Sequence, residues 1–231
     1  LALVQSLSGS VNIIAHEGIN MLGGRDFDRI VVNSVIRPWL AENFDLPEGF
    51  QGQEKYRRVF RIAHLAAEKA KIALSTQETE TIFASEEEVR VTDESGSEIY
   101  IEIEITRSQL DSLVSEYCHK TIELSRKILK ENGYTHEDID SIVFIGGPTK
   151  MPTIRNLVPQ ELGIPADLKT DAMTAVAYGA AIYSESRDWS RTTTTRKASR
   201  GSVKSAGKLD IKYDFPARTS DDLAKILINV D

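Results

Sequence analysis

The sequence has few cysteines, no surplus of positive charge and no long hydrophobic run. Its one cysteine, Cys118, excludes an internal disulfide and a metal site built from cysteines. The formal net charge of -7 argues against general affinity for nucleic acid. No apolar run reaches the length of a membrane span and no signal-peptide pattern occurs, so we expect a cytoplasmic protein. The chain begins at Leu1 without a methionine, and we expect it to be a piece of a longer protein.

The most informative stretch is a strand, turn and helix pattern in the second half of the chain. Residues 141–145 form a short, mostly apolar run that predicts a buried strand. Gly146 and Gly147 end it, and residues 151–162 have a helical pattern. In α/β proteins this order of elements brings backbone close to a nucleotide. Taken alone, however, two glycines favour an ordinary tight turn.

The first part of the chain predicts a hairpin followed by two helices. Residues 1–4 and 10–15 are β-like runs with a turn between them. Helical spacing continues over 26–43, with a kink or break expected at Pro38. A second, longer helix is predicted over 53–75.

The longer helix carries an apolar stripe beside a polar one. The apolar stripe predicts a core face and consists of Tyr56, Phe60, Ala63, Ala67, Ala70 and Leu74. The polar stripe consists of His64, Glu68, Lys71 and Ser75. A solvated face is the favoured interpretation of this stripe. A ledge that presents Glu68, Lys71 and Ser75 to a polar ligand is the alternative.

A β-rich stretch and a capped helix follow. The last run of the β-rich stretch, residues 98–105, alternates isoleucine with polar or aromatic residues. This alternation predicts a strand with one face in a core and one in water. Thr106 and Gln109 form a capping box that begins the next helix, and Gly133 ends it. The predicted strands are 80–84, 88–92 and 98–105.

The end of the chain changes in composition. A helix with small side chains is predicted over 171–186. Residues 191–207 are rich in Ser, Thr and basic residues, which is typical of a linker without regular structure. A nucleic-acid or membrane tether is the alternative, but neither interleaved aromatic residues nor an amphipathic period occurs. Residues 208–231 then predict the start of a downstream domain, with a strand at 209–215 and a helix at 220–229.

Five short motifs occur along the chain: LGG-x-DFD at 22–28, E-x-A-K-x-x-L-S at 68–75, I-T-R at 105–107, GG-P-T-K-x-P at 146–152, and AVAYGAA at 175–181. In type and order they resemble motifs of the heat shock protein 70 family, the DnaK-like molecular chaperones, in which the fourth motif is usually GG-S-T-R-x-P. They spread over residues 1 to about 187, and a chance match of this kind is very improbable.

The resemblance implies an actin-like ATPase fold, which is α/β and ribonuclease H-like. It implies the second lobe alone, spanning 1–190, with a mixed sheet, flanking helices and an inserted α+β subdomain. The inner subdomain would be 1–22 plus 106–187, and the outer subdomain 23–105 would be inserted into it.

The resemblance also implies an adenosine site between the long helix and the double-glycine turn. Glu68 and Lys71 would hold the ribose hydroxyls, and Ser75 would reach the base. Gly146 and Gly147 would let backbone approach the nucleotide. Gly24 would lie near the phosphates.

The chain departs from the family pattern within this site. Ile72 and Lys150 stand where the family has two arginines that sandwich the adenine, so stacking is weaker. Pro148 replaces a serine, and Met173 replaces an aspartate. The first lobe's phosphate loop and lysine have no counterpart, and no other phosphate-loop motif replaces them.

Two functions of different classes follow from the resemblance. The first is the adenosine-binding half of the ATP/ADP site of a stress-response chaperone, which couples nucleotide state to client binding. Its implied partners are the missing first lobe, J-domain or nucleotide-exchange co-chaperones and protein clients. Magnesium would accompany the nucleotide in the intact parent, with ligands outside this chain, and we expect no catalytic residue and no turnover here. The second is a non-catalytic interaction module that keeps the fold and has lost nucleotide use.

Overall fold

The computed structural model describes residues 1–7, 10–20, 22–186, 211–214 and 227–230. The chain divides into two compact units, Leu1–Gly179 and Ala180–Asp231. The predicted linker, 191–207, lies outside the described residues. None of the described helices is long and apolar enough to cross a membrane.

The described residues form both strands and helices, in agreement with a mixed α/β class. The described strands are β1 (Ala2–Leu7), β2 (Ser10–His16), β3 (Thr79–Ala84), β4 (Ile101–Thr106), β5 (Ile211–Asp214) and β6 (Leu227–Val230). The α-helices are α1 (Gly24–Val31), α2 (Arg37–Asn43), α3 (Arg57–Ala73), α4 (Glu86–Val89), α5 (Arg107–Glu131), α6 (Pro152–Leu162) and α7 (Ala175–Ser186).

Each sheet within the described residues has two antiparallel strands, β1–β2, β3–β4 and β5–β6. The predicted N-terminal hairpin is therefore confirmed. The expected mixed sheet does not form within this part of the chain. The predicted strand at 141–145 is reduced to one parallel bridge between Ile142 and Ala166. A strand needs a hydrogen-bonded neighbour along its length, and here only Ile142 has one, bonding Pro165 and Asp167 at 2.8 Å each.

The larger hydrophobic core packs α1, α3, β3, β4 and the first half of α5 together. The predicted apolar stripe of α3 faces this core, and only Phe60 of that stripe remains half-buried. Alternation in β4 places Ile101 and Ile105 in the same core. Other fully buried members are Val31, Ile36, Leu40, Ile82, Ile99, Leu110 and Val114.

One local prediction differs from the structure in this region, and one agrees with it. The strand predicted over 88–92 is wrong for its first two residues, which belong to helix α4, because the Ser85 N–H donates to Glu88 Oε2 at 3.1 Å in a capping box. The helix predicted over 26–43 is interrupted near Pro38, as expected, by a π-helical turn at Val32–Ile36. Proline cannot donate a backbone hydrogen bond and crowds the preceding turn, and the wider turn relieves that crowding.

A smaller cluster, formed by Ile122, Phe144 and Val158, packs α5 against α6. α5 begins at the predicted capping box and ends before Gly133, whose φ of 75° is left-handed. α7 begins at Ala175, four residues later than predicted, because a turn occupies the residues before it.

The second unit contains the β5–β6 pair. β5 lies inside the predicted strand at 209–215 and confirms it. The helix predicted over 220–229 is wrong for its last residues, because Leu227–Val230 pair with β5 as strand β6. Backbone pairing with a distant segment outweighs the weak local helical pattern here.

Candidate functional site

The expected site residues lie on three segments: helix α3, the first turn of α1, and the turn at Gly147–Lys150. α3 carries Glu68, Lys71 and Ile72, with Ser75 just beyond its end. Gly24 is the first residue of α1. The three segments converge where Gly24, Lys71 and Pro148 approach each other, an arrangement that we call the Gly24–Lys71–Pro148 junction.

Lys71 is the central side chain of the junction. Its Nζ donates to Asp28 Oδ1 at 2.5 Å and to the Gly24 carbonyl oxygen at 2.9 Å. The Lys71 and Asp28 side chains expose only 10% and 7% of their areas. Burying two charges costs free energy, and the close pairing with an added carbonyl partner offsets that cost. Lys71 thus ties α3 to the start of α1.

The polar stripe of α3 is not a uniformly solvated face. Glu68 is exposed, His64 and Ser75 are half-buried, and Lys71 is buried. The Ser75 hydroxyl lies 3.4 Å from the Lys71 carbonyl oxygen, to which it donates a long hydrogen bond. The favoured interpretation of a solvated face therefore holds for Glu68 and is wrong for Lys71.

Burial also shifts the titration of two groups beside Lys71. Desolvation raises the pKa of Asp28 above its ordinary value, although Lys71 opposes the shift and the negative charge of Glu68 adds to it. Desolvation likewise lowers the pKa of His64, against the opposing attraction of Asp28. The junction therefore holds its charges in a partly dehydrated environment.

Gly24 and Pro148 pack closely against each other. A Cβ atom placed on Gly24 would lie 3.1 Å from Pro148 Cγ and 3.4 Å from Lys71 Nζ. The first distance is tighter than an ordinary contact, so a side chain at this position would require Pro148 to shift by a few tenths of an ångström. This contact brings the double-glycine turn beside the start of α1.

The double-glycine turn has a backbone that only glycine adopts readily. Gly146 has φ of 92° and ψ of 160°, and its N–H donates to the Ala172 carbonyl at 2.8 Å. The Thr149 hydroxyl donates to the Gly146 carbonyl at 2.7 Å. Arg155 Nε donates to the Thr149 carbonyl at 2.9 Å and its guanidinium lies 5.8 Å from the centroid of Phe144. These bonds hold the turn in one conformation.

Three of the four positions that depart from the family pattern are exposed: Ile72, which exposes 62% of its area, Lys150 and Met173. The fourth, Pro148, is half-buried against Gly24. The Sδ atom of Met173 would lie 3.9 Å from a Cβ placed on Gly147, so Met173 borders the turn.

Sequence reasoning missed two residues that organise this site, Asp28 and Arg155. Asp28 closes the LGG-x-DFD motif, so its presence in that motif was the available signal. Its bond to Lys71 spans 43 residues of sequence, and no local pattern reveals such a contact. Arg155 gives no sequence signal, because its role depends on the fold of the turn.

The donor set fits a polar organic ligand and does not fit a metal ion. Exposed Glu68 and half-buried Ser75 offer hydrogen-bonding oxygens beside a turn rich in glycine. Across the described residues, no group of three or more His, Cys, Asp or Glu side chains is arranged to hold a metal.

Comparison with known proteins gives one consistent result. A sequence model of the Hsp70 protein family matches residues 1–187. The chain is 35% identical to the chaperone protein DnaK of Methanothermobacter thermautotrophicus over 174 residues, which are 75% of this chain and 28% of the relative. It is 32% identical to the chaperone protein DnaK of Thermosipho melanesiensis over 183 residues, 79% of this chain and 29% of the relative.

The chaperone protein dnaK1 of Synechococcus elongatus is 33% identical over 183 residues, which are 79% of this chain and 27% of that relative. The chain thus spans under a third of the length of these curated relatives. The matched residues include all three segments of the junction.

Proposed function

This chain belongs to the Hsp70 family, and on that premise we propose that it is the second lobe of a DnaK-like chaperone ATPase. The fold of the family is the actin-like ATPase fold, and the mixed α/β elements agree with it. Within that fold the inner subdomain comprises 1–22 and 106–187, and the outer subdomain comprises 23–105. The family match over 1–187 covers both proposed subdomains.

The lobe contributes the adenosine-binding half of an ATP/ADP site. The observation that carries this proposal is the Gly24–Lys71–Pro148 junction. It places the polar stripe of α3 beside a glycine turn and the start of a helix, although these segments lie far apart in sequence. Polar side chains, accessible backbone and a helix N-terminus are what a nucleotide site requires.

The residues of the chain act by binding and orienting. The exposed Glu68 carboxylate accepts hydrogen bonds from the ribose hydroxyls, and Lys71 braces α3 against α1 beneath it. Ser75 offers a hydroxyl to the base, and Gly146 and Gly147 allow backbone to approach the ligand. The nucleotide, when bound, supplies a phosphoanhydride bond for hydrolysis, and no residue of this chain is assigned to that step.

Client binding and co-chaperone contacts belong to the intact parent in this proposal. Nucleotide state on the assembled site would bias how the parent holds protein clients, and J-domain or nucleotide-exchange partners would act on that equilibrium. Phosphoryl transfer needs charge stabilisation from both sides of a cleft, and this chain supplies one side. We therefore expect weak binding of adenosine nucleotides by this chain and no hydrolysis above background.

A substitution that increases the affinity for ADP tests the proposed site more sharply than one that decreases it. Ile72→Arg restores one guanidinium plane at an exposed position, so folding is not at risk. One added cation–π contact of about 0.5–2 kcal/mol corresponds to roughly two- to thirtyfold tighter ADP binding. The measurement is an NMR titration of the chain with ADP, with shifts expected at 68–75 and 146–150.

Leu65→Arg is the matched control, because it adds the same side chain at another exposed apolar position of α3. Equal gains from both variants would mean that added positive charge, rather than stacking on adenine, increases affinity. If neither wild type nor Ile72→Arg binds ADP, while the fold is intact, the non-catalytic interaction module replaces this proposal.

A further inference from the structure

The buried Asp28 carboxylate beside Lys71 is the feature that the nucleotide function leaves unexplained. A lysine that serves only to bind a ligand needs neither burial nor a carboxylate counter-ion from the protein itself. Lys71 has both, because two of its three donor positions are filled by Asp28 and by the Gly24 carbonyl. Its ammonium is therefore fixed in place and electrically balanced before any ligand arrives.

We propose that Asp28 is a positioning residue that cancels the Lys71 charge, so that the site selects the nucleoside part of a ligand and gains nothing from its phosphates. This inference rests on the proposed nucleotide function and specifies the ligand class of the same site. At distances that are long compared with the 2.5 Å separation of the pair, opposite unit charges nearly cancel. A phosphate beyond contact range therefore gains little from Lys71.

The N-terminus of α1 is the second positive feature of the junction, and a carboxylate of the chain neutralises it as well. The Gly23 N–H donates to Asp26 Oδ2 at 3.0 Å, so a carboxylate of the helix itself occupies a donor that an anion would use. Asp26 also pairs with Arg29 at 3.3 Å. Exposed Glu68 adds a further negative charge beside Lys71. Arg25 and Lys150 remain as exposed cations, whose fields water and salt screen.

Neutral hydroxyl groups fit such a balanced site better than anions do. A hydroxyl donates to Glu68 and accepts from a backbone N–H without requiring net charge. A phosphate would have to compete with Asp28 for Lys71 and with Asp26 for the start of α1. Discrimination between hydroxyl groups and phosphates thus comes from carboxylates that the chain already holds in place.

The test compares adenosine, ADP and inorganic pyrophosphate on the wild-type chain and on Asp28→Asn, by NMR titration. In wild type we expect adenosine and ADP to bind within about threefold of each other, and pyrophosphate not to bind. In Asp28→Asn the ammonium loses its counter-ion, so we expect ADP to bind at least about tenfold more tightly than adenosine. Pyrophosphate binding should then appear as well.

Asp140→Asn is the matched control, because it removes the same charge at an exposed position outside the junction. The inference is overturned if wild type already prefers ADP tenfold, or if pyrophosphate binds wild type and Asp28→Asn equally. If adenosine binds no variant while pyrophosphate binds only Asp28→Asn, the nucleotide function fails and the role of Asp28 stands.

Amine acylation tests the same arrangement without a ligand. In wild type, Lys71 should react at least about tenfold more slowly than exposed Lys69, because burial and pairing protect it. Asp28→Asn should remove most of that protection. The buried Cys118 thiol, which stays unreactive while the fold is intact, reports whether the variant is folded. Equal acylation of Lys71 and Lys69 in wild type would overturn the inference.

Discussion

The proposed outer subdomain and two elements of the proposed inner subdomain, β1–β2 and α7, bury similar sequence patterns to very different degrees. In the outer region, 23–105, alternating and helical apolar residues meet in one large core. In the inner region, β1–β2 and α7 leave apolar side chains such as Ile13 and Val176 exposed. Ile101 exposes 0% of its area, whereas Ile13, also in an antiparallel pair, exposes 67%.

The difference shows that a pattern specifies a face, whereas burial depends on what packs across that face. β4 pairs with β3, and α3 and α5 supply neighbours to the same core. β1 and β2 pair mainly with each other, and a two-stranded hairpin by itself buries little apolar surface. The predictions below compare matched positions in the two regions.

The largest effect is expected from a buried charge in the outer core. Ile101→Asp should destabilise the fold by about 3–5 kcal/mol, because an unpaired carboxylate would be buried or forced to take up a proton. Ile13→Asp, the same substitution in the inner hairpin, should cost less than about 1 kcal/mol. Urea denaturation measures the free energy of unfolding of both variants. Similar losses of this free energy would show that the inner hairpin is as tightly packed as β4.

Tyr100 is not a suitable exposed control for Ile101, although the sequence alternation predicts that it lies on the solvent face. Its ring packs edge-on against Trp39 at 5.8 Å and Phe44 at 5.5 Å between centroids. Such aromatic pairs add stability beyond their buried area. Tyr100→Asp should therefore cost more than Ile13→Asp.

A smaller effect is expected at the helix caps. Thr106 begins the 25-residue helix α5, and its hydroxyl oxygen accepts from the Gln109 N–H at 3.2 Å. Thr106→Ala should cost about 1 kcal/mol. Thr135 precedes only a three-residue turn, and its hydroxyl donates to Asp138 Oδ2 at 2.7 Å, so Thr135→Ala should cost no more than about 0.5 kcal/mol. A larger loss at Thr135 in the same denaturation series would reverse the comparison.

The smallest effect is a pH dependence from His64. Burial lowers the pKa of His64 below the ordinary 6.5, so the unfolded chain binds its proton more readily than the folded chain does. The contribution of His64 to the free energy of unfolding is therefore present above pH 6.5 and is lost as the pH falls through the lowered pKa. The free energy of unfolding, measured by denaturation, should fall from about pH 7 to about pH 5. His64→Gln should make this fall less steep.

His16→Gln provides the inner-region control for this slope, because His16 is exposed on β2. It should leave the slope unchanged. If His16→Gln removes as much of the slope as His64→Gln does, burial of His64 is not its cause.

Much of the fold around the large core could be predicted because its signals are local. The strand at 80–84, the core stripe of α3 and the Thr106–Gln109 capping box follow from residues a few positions apart. The strand predicted at 88–92 is wrong for its first two residues because the capping box of Ser85 and Glu88 outweighed a short β-like pattern. The five motifs also identified the family, and the family match over 1–187 confirms that identification.

By itself, the sequence determined the family, the mixed α/β class and the ends of α5, because motifs, caps and periodicity are properties of neighbouring residues. Only the tertiary structure decided that Lys71 is buried on Asp28 and that Gly24 lies against Pro148. It also decided that 141–145 forms a single bridge instead of a full strand. These outcomes depend on contacts between residues that are distant in sequence, where burial, pairing and available partners, and not local propensity, set the free energy.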